Sequence, residues 1–270
     1  MITLKNLHYT YSGSSRENLS GIDLTLEPGS FLLLCGPSGC GKTTLTRILN
    51  GLIPHYYEGT LSGEAELDGC TYRDMSLFAI SRKVGSIFQN PKTQFFNVDT
   101  TSEMAFGAEN HGVAPQEILK RIQNTAEFIG AEPLLDRNIF SLSGGEKQKI
   151  ACGSTVVMEP ETYIFDEPSS NLDSQAAMDL RRVMEQLKEK GKTIIVAEHR
   201  LSYLADLADR VICMKDGKIE KIYEVPSSAV LPQKGRRTPG LHRFFQFYRP
   251  SCRSPGQPGL QDKKAGARPQ

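Results

Sequence analysis

The hydrophobic positions along this chain follow two periods, and each period predicts a different kind of element. Residues 2–11 and 19–26 alternate apolar and polar side chains, which predicts two strands with one buried face. A short strand at 63–69 and a hairpin around Asp216 and Gly217 are also expected. Four largely apolar runs predict strands covered on both faces, at 31–35, 84–88, 162–166 and 193–197.

Helical spacing replaces the strand signals between residues 101 and 158. Three helices are predicted there, and Pro115 is well placed in the first turn of the second. They cover 101–110, 115–129 and 146–158. Shorter or flanking helices are expected at 45–52, at 75–83 and from Asp173 to about residue 190. The order of elements therefore predicts a helical insertion within an α/β frame.

Composition and charge narrow the class of protein. A chain of 270 residues with 39% hydrophobic residues can bury a substantial core. The net charge is +1, but residues 227–270 hold nine Lys or Arg against one Asp, which leaves the body acidic at −7. An acidic body argues against bulk binding of nucleic acid by the folded part, and no nucleic-acid partner is expected.

The cysteines and the N-terminus indicate a compartment. The six cysteines show no C-x-x-C pair and no metal-ligand spacing, which suits a reducing environment. The first residues lack the apolar core of a signal peptide, and no apolar run approaches the ~20 residues that span a bilayer. We expect a cytoplasmic protein that other subunits hold at a membrane if it works there.

A glycine-rich loop follows the first buried strand. It completes the pattern G-x-x-x-x-G-K-[ST] with Gly36, Pro37, Ser38, Gly39, Cys40, Gly41, Lys42, Thr43 and Thr44. The glycines let successive N–H groups face inward, and the helix that follows adds a partial positive charge. Lys42 suits the β- and γ-phosphates of a nucleotide, and the Thr43 hydroxyl suits a bridging Mg²⁺. The alternative is a coincidental glycine turn.

Two adjacent carboxylates end the buried strand at 162–166. Asp166 suits the shell of a Mg²⁺ ion, usually through water, and Glu167 suits orientation or deprotonation of an attacking water. The alternative is a plain acidic loop. Because both follow a strand that the pattern places at the centre of the sheet, we expect them near the glycine-rich loop.

A second candidate anion site opens the helix at 146–158. Ser143 and Glu146 form S-x-x-E, which is typical of a capping box. A cap does not require two consecutive glycines such as Gly144 and Gly145. Because they lack side chains, they leave N–H groups accessible at the positive end of the helix. The sequence thus predicts two phosphate-binding surfaces in one chain.

Three further polar residues stand at the ends of predicted strands. Gln89 is either a turn residue or a side chain that reaches the metal and the attacking water. Tyr11 either stacks on adenine or covers the edge of the sheet. His199 is placed to donate to the γ-phosphate. The remaining histidines are expected to be structural, namely His8, His55, His111 and His242.

The order and spacing of these motifs resemble the ATP-binding subunits of ABC transporters over residues 1 to about 225. The matching parts are Walker A, Q-loop, signature, Walker B, D-loop and H-loop, at 36–44, Gln89, 142–146, 163–167, Asp173 and His199. The resemblance implies an α/β fold: a P-loop NTPase core of mixed sheet and flanking helices, an antiparallel β subdomain and a helical subdomain at about 95–160. It implies ATP and Mg²⁺ as cofactors.

The resemblance also implies roles for single residues. Glu167, His199 and Gln89 would act in catalysis, Thr43, Gln89 and Asp166 would hold Mg²⁺, and Tyr11 would stack on adenine. Two cassettes would meet head to tail. One ATP would then be bound by both cassettes. The phosphate loop of one cassette would hold it from one side, and the other cassette would contact it through Ser143, Gly144, Gly145 and Asp173.

Residues 88–96, 105–110 and 196–200 are similar to the energy-coupling factor class of importers. That likeness implies a subunit at the cytoplasmic face of the membrane that powers uptake of a vitamin or a transition-metal ion. Its partners would be a second ABC ATPase, an integral membrane scaffold and a substrate-capture subunit. The alternatives are a soluble ABC ATPase acting on ribosomes or DNA, and a regulatory cassette that hydrolyses ATP weakly.

Two departures from the family pattern raise separate expectations. Glu146 stands where Gln is usual, and an acid there weakens the anion site unless it turns away to cap Ser143. Residues 226–270 form a basic tail rich in Pro and Gly, whose composition predicts disorder. An aromatic and basic cluster at 241–249 either contacts a membrane or nucleic acid or has no role. The tail suggests that the chain corresponds to the first cassette of a two-cassette protein and that it is truncated, or altered in reading frame, near residue 225.

Overall fold

The computed structural model describes residues 1–225, which contain ten strands and seven α-helices. The strands are β1 (Ile2–Tyr11), β2 (Leu19–Leu26), β3 (Phe31–Cys35), β4 (Gly59–Leu67), β5 (Cys70–Thr71), β6 (Val84–Ile87), β7 (Thr162–Asp166), β8 (Thr193–Ala197), β9 (Arg210–Lys215) and β10 (Lys218–Glu224). The helices are α1 (Lys42–Leu49), α2 (Leu52–His55), α3 (Leu77–Ser81), α4 (Thr100–Asn110), α5 (Pro115–Ile129), α6 (Gly144–Val157) and α7 (Ser174–Glu189).

The strands form two sheets. The first has the order β2-β1-β4-β5 and is antiparallel throughout. The second has the order β10-β9-β3-β8-β7-β6; it is parallel from β9 to β6, and β10 joins β9 as an antiparallel edge strand. The predicted mixed sheet with a separate antiparallel sheet is confirmed.

The central strands are buried on both faces, as their largely apolar runs predict. Along β3, Phe31, Leu33 and Cys35 pack into one hydrophobic cluster, whereas Leu32 and Leu34 pack into another. The first cluster lies beneath α4–α7, and the second lies between the two sheets and α1. Each large side chain buried in this way contributes about 1.5–3 kcal/mol. Such burial fixes the strands that support the candidate site.

The parallel arrangement decides where the site lies. Since β3, β6, β7 and β8 run in the same direction, their carboxyl ends meet at one edge of the sheet. The chain leaves that edge into the glycine-rich loop after β3, into Gln89 after β6, into Glu167 after β7 and into His199 after β8. Residues far apart in sequence are thereby brought together.

The helices between β6 and β7 have the termini that the sequence predicts. Pro115 occupies the first turn of α5, and Gly130 ends it in the left-handed conformation with φ +63°. Both α4 and α5 pack against α6, so the three form one layer. The expected helices at 101–110, 115–129 and 146–158 are confirmed to within two residues.

Three predicted boundaries were wrong. The strand expected at 63–69 begins earlier, at Gly59, because β4 pairs with β1 up to Tyr11. The helix expected at 45–52 occupies Lys42–Leu49, since Gly51, with φ +78°, separates it from α2. The helix expected at 75–83 is shorter, because Ser76 caps its start by accepting a hydrogen bond from the Ala79 N–H.

The expectations for residues 226–270, including the tail and the cluster at 241–249, lie outside the described residues. Among residues 1–225, no helix has the length and apolar character that crossing a membrane requires.

Candidate functional site

The glycine-rich loop after β3 is tightly curved, as the predicted phosphate site requires. Gly36 has φ +149° and Gly41 has φ +108°, a region that side chains rarely adopt. A Cβ at Gly36 would collide with the Met214 carbonyl oxygen, and one at Gly41 would lie 2.9 Å from the carbonyl oxygen of Asn18. Only glycine fits at either position. The curvature of the loop therefore depends on these two glycines.

The Lys42 side chain is buried within this loop. Its ammonium group donates to the carbonyl oxygens of Gly36 at 3.0 Å and Pro37 at 3.3 Å. The same nitrogen lies 3.4 Å from Nε2 of His199. The loop after β8 thus reaches the phosphate loop, and a positive charge lies at the centre of the candidate site.

Asp166 ends β7 beside the first turn of α1. Its Oδ1 accepts from the Thr43 hydroxyl at 3.3 Å, and its Oδ2 accepts from the Thr46 hydroxyl at 3.4 Å. Burial raises the pKa of the Asp166 carboxyl, and the neighbouring Glu167 raises it further. A hydroxyl and a carboxylate are hard oxygen donors, and Mg²⁺ takes few protein ligands beside water and phosphate oxygens. Thr43 and Asp166 therefore fit a nucleotide-bound Mg²⁺.

Glu167 connects three of the strand-end loops. Its Oε2 accepts from the Gln89 amide at 3.0 Å, and its Oε1 lies 2.9 Å from Nε2 of His199. The contact with His199 is a hydrogen bond in the tautomer whose Nε2 carries the hydrogen and donates it to the Glu167 oxygen. The backbone of Glu167 has φ +47°, a strained conformation for a residue other than glycine. The structure brings Gln89, Glu167 and His199 into direct contact.

Tyr11 lies at the end of β1 with its ring in an aromatic cluster. Its hydroxyl accepts from the Arg47 guanidinium at 2.9 Å and lies 3.4 Å from the Thr44 hydroxyl. The Arg47 guanidinium also lies 4.2 Å from the centre of the Tyr57 ring. These contacts orient Tyr11 beside the helix that follows the phosphate loop. Adenine stacking by Tyr11 stays a prediction.

The glycine pair at the start of α6 carries the capping box that the sequence predicts. The Glu146 N–H donates to the Ser143 hydroxyl at 3.3 Å, and the Ser143 N–H donates to Glu146 Oε2 at 2.8 Å. The backbone N–H of Ser143 is the largest influence that lowers the pKa of Glu146. The carboxylate of Glu146 is therefore turned back onto the cap, as expected if it is to avoid a bound phosphate.

The glycine pair packs against the start of α7 in the same chain. A Cβ at Gly145 would lie 3.1 Å from that of Ala176, and one at Gly144 would lie 3.8 Å from the Asn171 carbonyl oxygen. Asp173 caps α7 by accepting from the Ala176 N–H at 2.8 Å. The predicted site residues thus fall into two groups, one around Lys42 and the other formed by Ser143, Gly144, Gly145 and Asp173.

The family model described as ABC transporter matches residues 19–170, which is more than half of the chain and includes the phosphate loop, the capped glycine pair and both carboxylates. The chain belongs to the ABC transporter family. It is an ATPase cassette of that family, whose members bind ATP, normally with Mg²⁺.

Relatives of this ABC cassette include two proteins named as putative ABC transporter ATP-binding proteins. One, from Treponema denticola, is 48% identical over 86% of this chain and 48% of its own length. The other, from Methanosarcina mazei, is 41% identical over 81% of this chain and 37% of its own length. The chain thus spans about half the length, or less, of the curated relatives it matches.

Solved structures support the same fold for this ABC cassette. CbiO1 from Clostridium perfringens, described as part of the ABC transporter complex CbiONQ, matches with a TM-score of 0.74 at 29% identity, over 83% of this chain and 88% of that chain. The dimeric structure of a bacterial ABC transporter cassette matches with a TM-score of 0.74 at 25% identity, over 84% of this chain and all of that chain.

Sequence reasoning missed several side chains that support the site of this cassette. Thr46 lies one helical turn after Thr43 and donates a hydrogen bond to Asp166. Its spacing of three residues from Thr43 places the two threonines on the same face of the helix, and this could have predicted the contact. Arg47 holds the Tyr11 hydroxyl, but nothing in the sequence pattern pairs these two residues. Glu198 had one signal, a charged residue directly after a largely apolar strand.

Proposed function

We propose that this cassette binds and hydrolyses ATP as a subunit of an importer of the energy-coupling factor type, and so powers uptake of a vitamin or transition-metal ion. The observation that carries the proposal is the convergence of Lys42, Asp166, Glu167, Gln89 and His199 at one edge of the central sheet. The likeness to CbiO1 supports the importer class. Relatives named as ABC transporter proteins support transport.

The proposed chemistry assigns one task to each group. Glu167 accepts a proton from the attacking water. Gln89 and His199 hold the two carboxylate oxygens of Glu167 in place. Lys42 and the amides of the phosphate loop stabilise negative charge on the β- and γ-phosphates. Thr43, Gln89 and Asp166 would hold Mg²⁺, which would neutralise phosphate charge. With ATP bound, the Nε2 hydrogen of His199, which lies beside both Lys42 and Glu167, would turn from Glu167 to the γ-phosphate.

The second group of residues acts from a partner cassette. Ser143, Gly144, Gly145 and Asp173 lie at two adjacent helix N-termini, which suit binding of the γ-phosphate of the ATP held by the other cassette. ATP drives closure because it binds more tightly to the closed pair than to the open one. Hydrolysis removes that difference, and the pair reopens. The dimeric neighbour supports this arrangement.

The membrane partner is proposed to bind an apolar groove beside Gln89. The groove has a volume of about 600 Å³, and its lining includes Phe78, Phe88, Phe96 and Phe106. Phe96 is 75% exposed and stacks on Phe106, with ring centres 4.9 Å apart. An exposed aromatic patch of this kind suits a short apolar helix of the membrane scaffold. Such binding would hold the cassette at the cytoplasmic face of the membrane.

The proposal is tested with Glu167→Gln in the purified full chain with its natural partner cassette. We expect hydrolysis to fall by ~10²–10⁴-fold, because the amide cannot accept the proton of the attacking water. ATP should still bind, so ATP and Mg²⁺ should trap a dimer that size-exclusion chromatography detects. Unchanged hydrolysis in this variant would contradict the assignment. Glu185→Gln, on α7 outside the candidate site, is the control.

A further inference from the structure

We propose that Glu198 is a positioning residue that holds Glu167 and His199 in the arrangement that hydrolysis requires. The inference rests on the proposed function, because it concerns how the residues assigned to hydrolysis are held. Glu198 directly follows β8, and only 2% of its surface is exposed. A glutamate is almost never buried to this extent unless its carboxylate is fully hydrogen-bonded.

Both oxygens of the Glu198 carboxylate accept hydrogen bonds. Oε1 accepts from the backbone N–H groups of His199 at 2.7 Å and Arg200 at 3.1 Å. Oε2 accepts from the Ser169 hydroxyl at 2.6 Å, from the Ser169 N–H at 3.3 Å and from the Tyr203 hydroxyl at 3.3 Å. Five donors converge on one carboxylate, which accounts for a charged group at this depth.

These contacts join the two loops that carry the proposed catalytic pair. Ser169 lies two residues after Glu167 and is completely buried, and Glu198 directly precedes His199. The carboxylate of Glu198 therefore fixes the loop after β7 against the loop after β8. The Glu167 N–H donates to the Ala197 carbonyl oxygen at 2.8 Å, which adds a backbone connection between the same loops.

Glu167 needs such support because its backbone is strained. A residue other than glycine at φ +47° keeps that conformation only where the contacts around it determine it. Without the bonds between Glu198 and Ser169, the loop after β7 can relax, and the 2.9 Å contact of Glu167 with His199 is lost. An amide at position 198 cannot replace the carboxylate, because its nitrogen does not accept hydrogen bonds.

The test compares Glu198→Gln with Glu103→Gln in the full chain paired with its natural partner cassette. Glu103 is a matched control, since it is 3% exposed and its Oε2 accepts from the N–H groups of Phe96 at 2.9 Å and Asn97 at 2.8 Å. We expect Glu198→Gln to lower kcat for ATP by ~10- to 100-fold and to change KM by less than about threefold. Glu103→Gln should lower the melting temperature comparably and leave kcat near the wild-type value.

A double-mutant cycle with His199→Ala separates positioning from general destabilisation. If Glu198 acts through the catalytic pair, Glu198→Gln causes a smaller loss of kcat once His199 is removed than it causes in the wild type. An equal loss in both backgrounds, or a kcat for Glu198→Gln equal to that of Glu103→Gln, overturns the inference. Should Glu198→Gln fail to fold, Ser169→Ala serves instead, because it removes only the hydroxyl that donates at 2.6 Å. It should lower kcat at unchanged KM, and a wild-type kcat overturns the inference.

Failure of the proposed function gives a different result. If Glu167→Gln and His199→Ala both hydrolyse ATP at the wild-type rate, the assignment of these residues is wrong, and the inference fails with it. If both are impaired but Glu198→Gln and Ser169→Ala are not, only the role of Glu198 is wrong.

Discussion

Nε2 of His199 lies 2.9 Å from Oε1 of Glu167, although the two residues are 32 positions apart in the chain. They meet because β7 and β8 are adjacent parallel strands whose carboxyl ends share one edge of the sheet. The same ring nitrogen lies 3.4 Å from the Lys42 ammonium group. His199 thus stands between a carboxylate and a cation at the phosphate loop, which suits a residue that orients groups around a phosphate.

The first prediction concerns this histidine. His199→Ala should lower the rate of ATP hydrolysis by ~10²-fold or more, because Glu167 loses one of its two side-chain partners and the γ-phosphate loses a donor. His8→Ala is a matched control, since His8 also pairs with a carboxylate, Nδ1 lying 2.7 Å from Oε1 of Glu17, but on the antiparallel sheet. Steady-state hydrolysis measures both, and equal rates for the two variants would contradict the proposed role.

The sequence predicted the central strands better than the edges. The runs at 162–166 and 193–197 coincide with β7 and β8, because strands buried on both faces consist mostly of apolar residues. The start of β4 was wrong, since Gly59, Thr60 and Ser62 are exposed and belong to the strand only through pairing with β1. Local pattern contains little information about such pairing.

The residues of the candidate site likewise divide into those that a local sequence pattern predicts and those that only tertiary contacts bring together. Lys42, Asp166 and Glu167 could be predicted because each stands at a fixed position in a local motif. The support for them could not, because the five donors to Glu198 come from several separate residues, and only folding brings Ser169 to it. Arg47 likewise meets Tyr11 across 36 positions of sequence. Local motifs therefore indicate which side chains carry the proposed chemistry, whereas tertiary contacts determine how those side chains are positioned.

A second prediction follows from the raised pKa of Asp166. Because burial disfavours the ionised carboxyl, the contribution of Asp166 to folding stability is greatest below the ordinary aspartate pKa of about 3.9 and is lost as the pH rises through the folded-state pKa. Asp166→Asn is neutral, and its amide can accept from one threonine hydroxyl and donate to the other. Without nucleotide, this variant should melt roughly 2–4 °C above the wild type at pH 8, with a smaller difference near the ordinary aspartate pKa of about 3.9.

Magnesium and ATP should reverse that order. Added together, they should raise the melting temperature of the wild type much more than that of Asp166→Asn, because the variant loses a carboxylate from the metal shell. Thermal unfolding monitored by circular dichroism measures both effects. A lower melting temperature for the variant at pH 8 without nucleotide would show that burial of the charge is not destabilising here.

The third prediction concerns the cap of α6. Glu146→Ala removes the acceptor of the Ser143 N–H and should destabilise the protein by about 1 kcal/mol, whereas Glu146→Gln retains an acceptor and should lose less than half of that. The pKa of Glu146 is lowered, so its contribution is present above the ordinary glutamate pKa of about 4.3 and is lost as the pH falls through the lowered value. Urea denaturation at pH 7 and near pH 3.5 measures the difference.

An equal loss of stability in Glu146→Gln and Glu146→Ala would show that the charge rather than the hydrogen bond stabilises the cap. Both variants should still form the ATP-dependent dimer when combined with Glu167→Gln. The reason is that neither removes the bare amides of Gly144 and Gly145.

The last prediction concerns the groove proposed for the membrane scaffold. Phe96→Asp places a charge on its most exposed aromatic side chain and should reduce binding to the scaffold by at least about tenfold, as is typical when a central aromatic contact is lost. Leu119→Asp is the control, because Leu119 is 63% exposed on α5 and does not line the groove. The measurement is the fraction of cassette that sediments with membranes containing its natural scaffold. Equal sedimentation of the two variants would show that the membrane contact lies elsewhere. Hydrolysis of ATP by the isolated cassette should be unchanged in both variants.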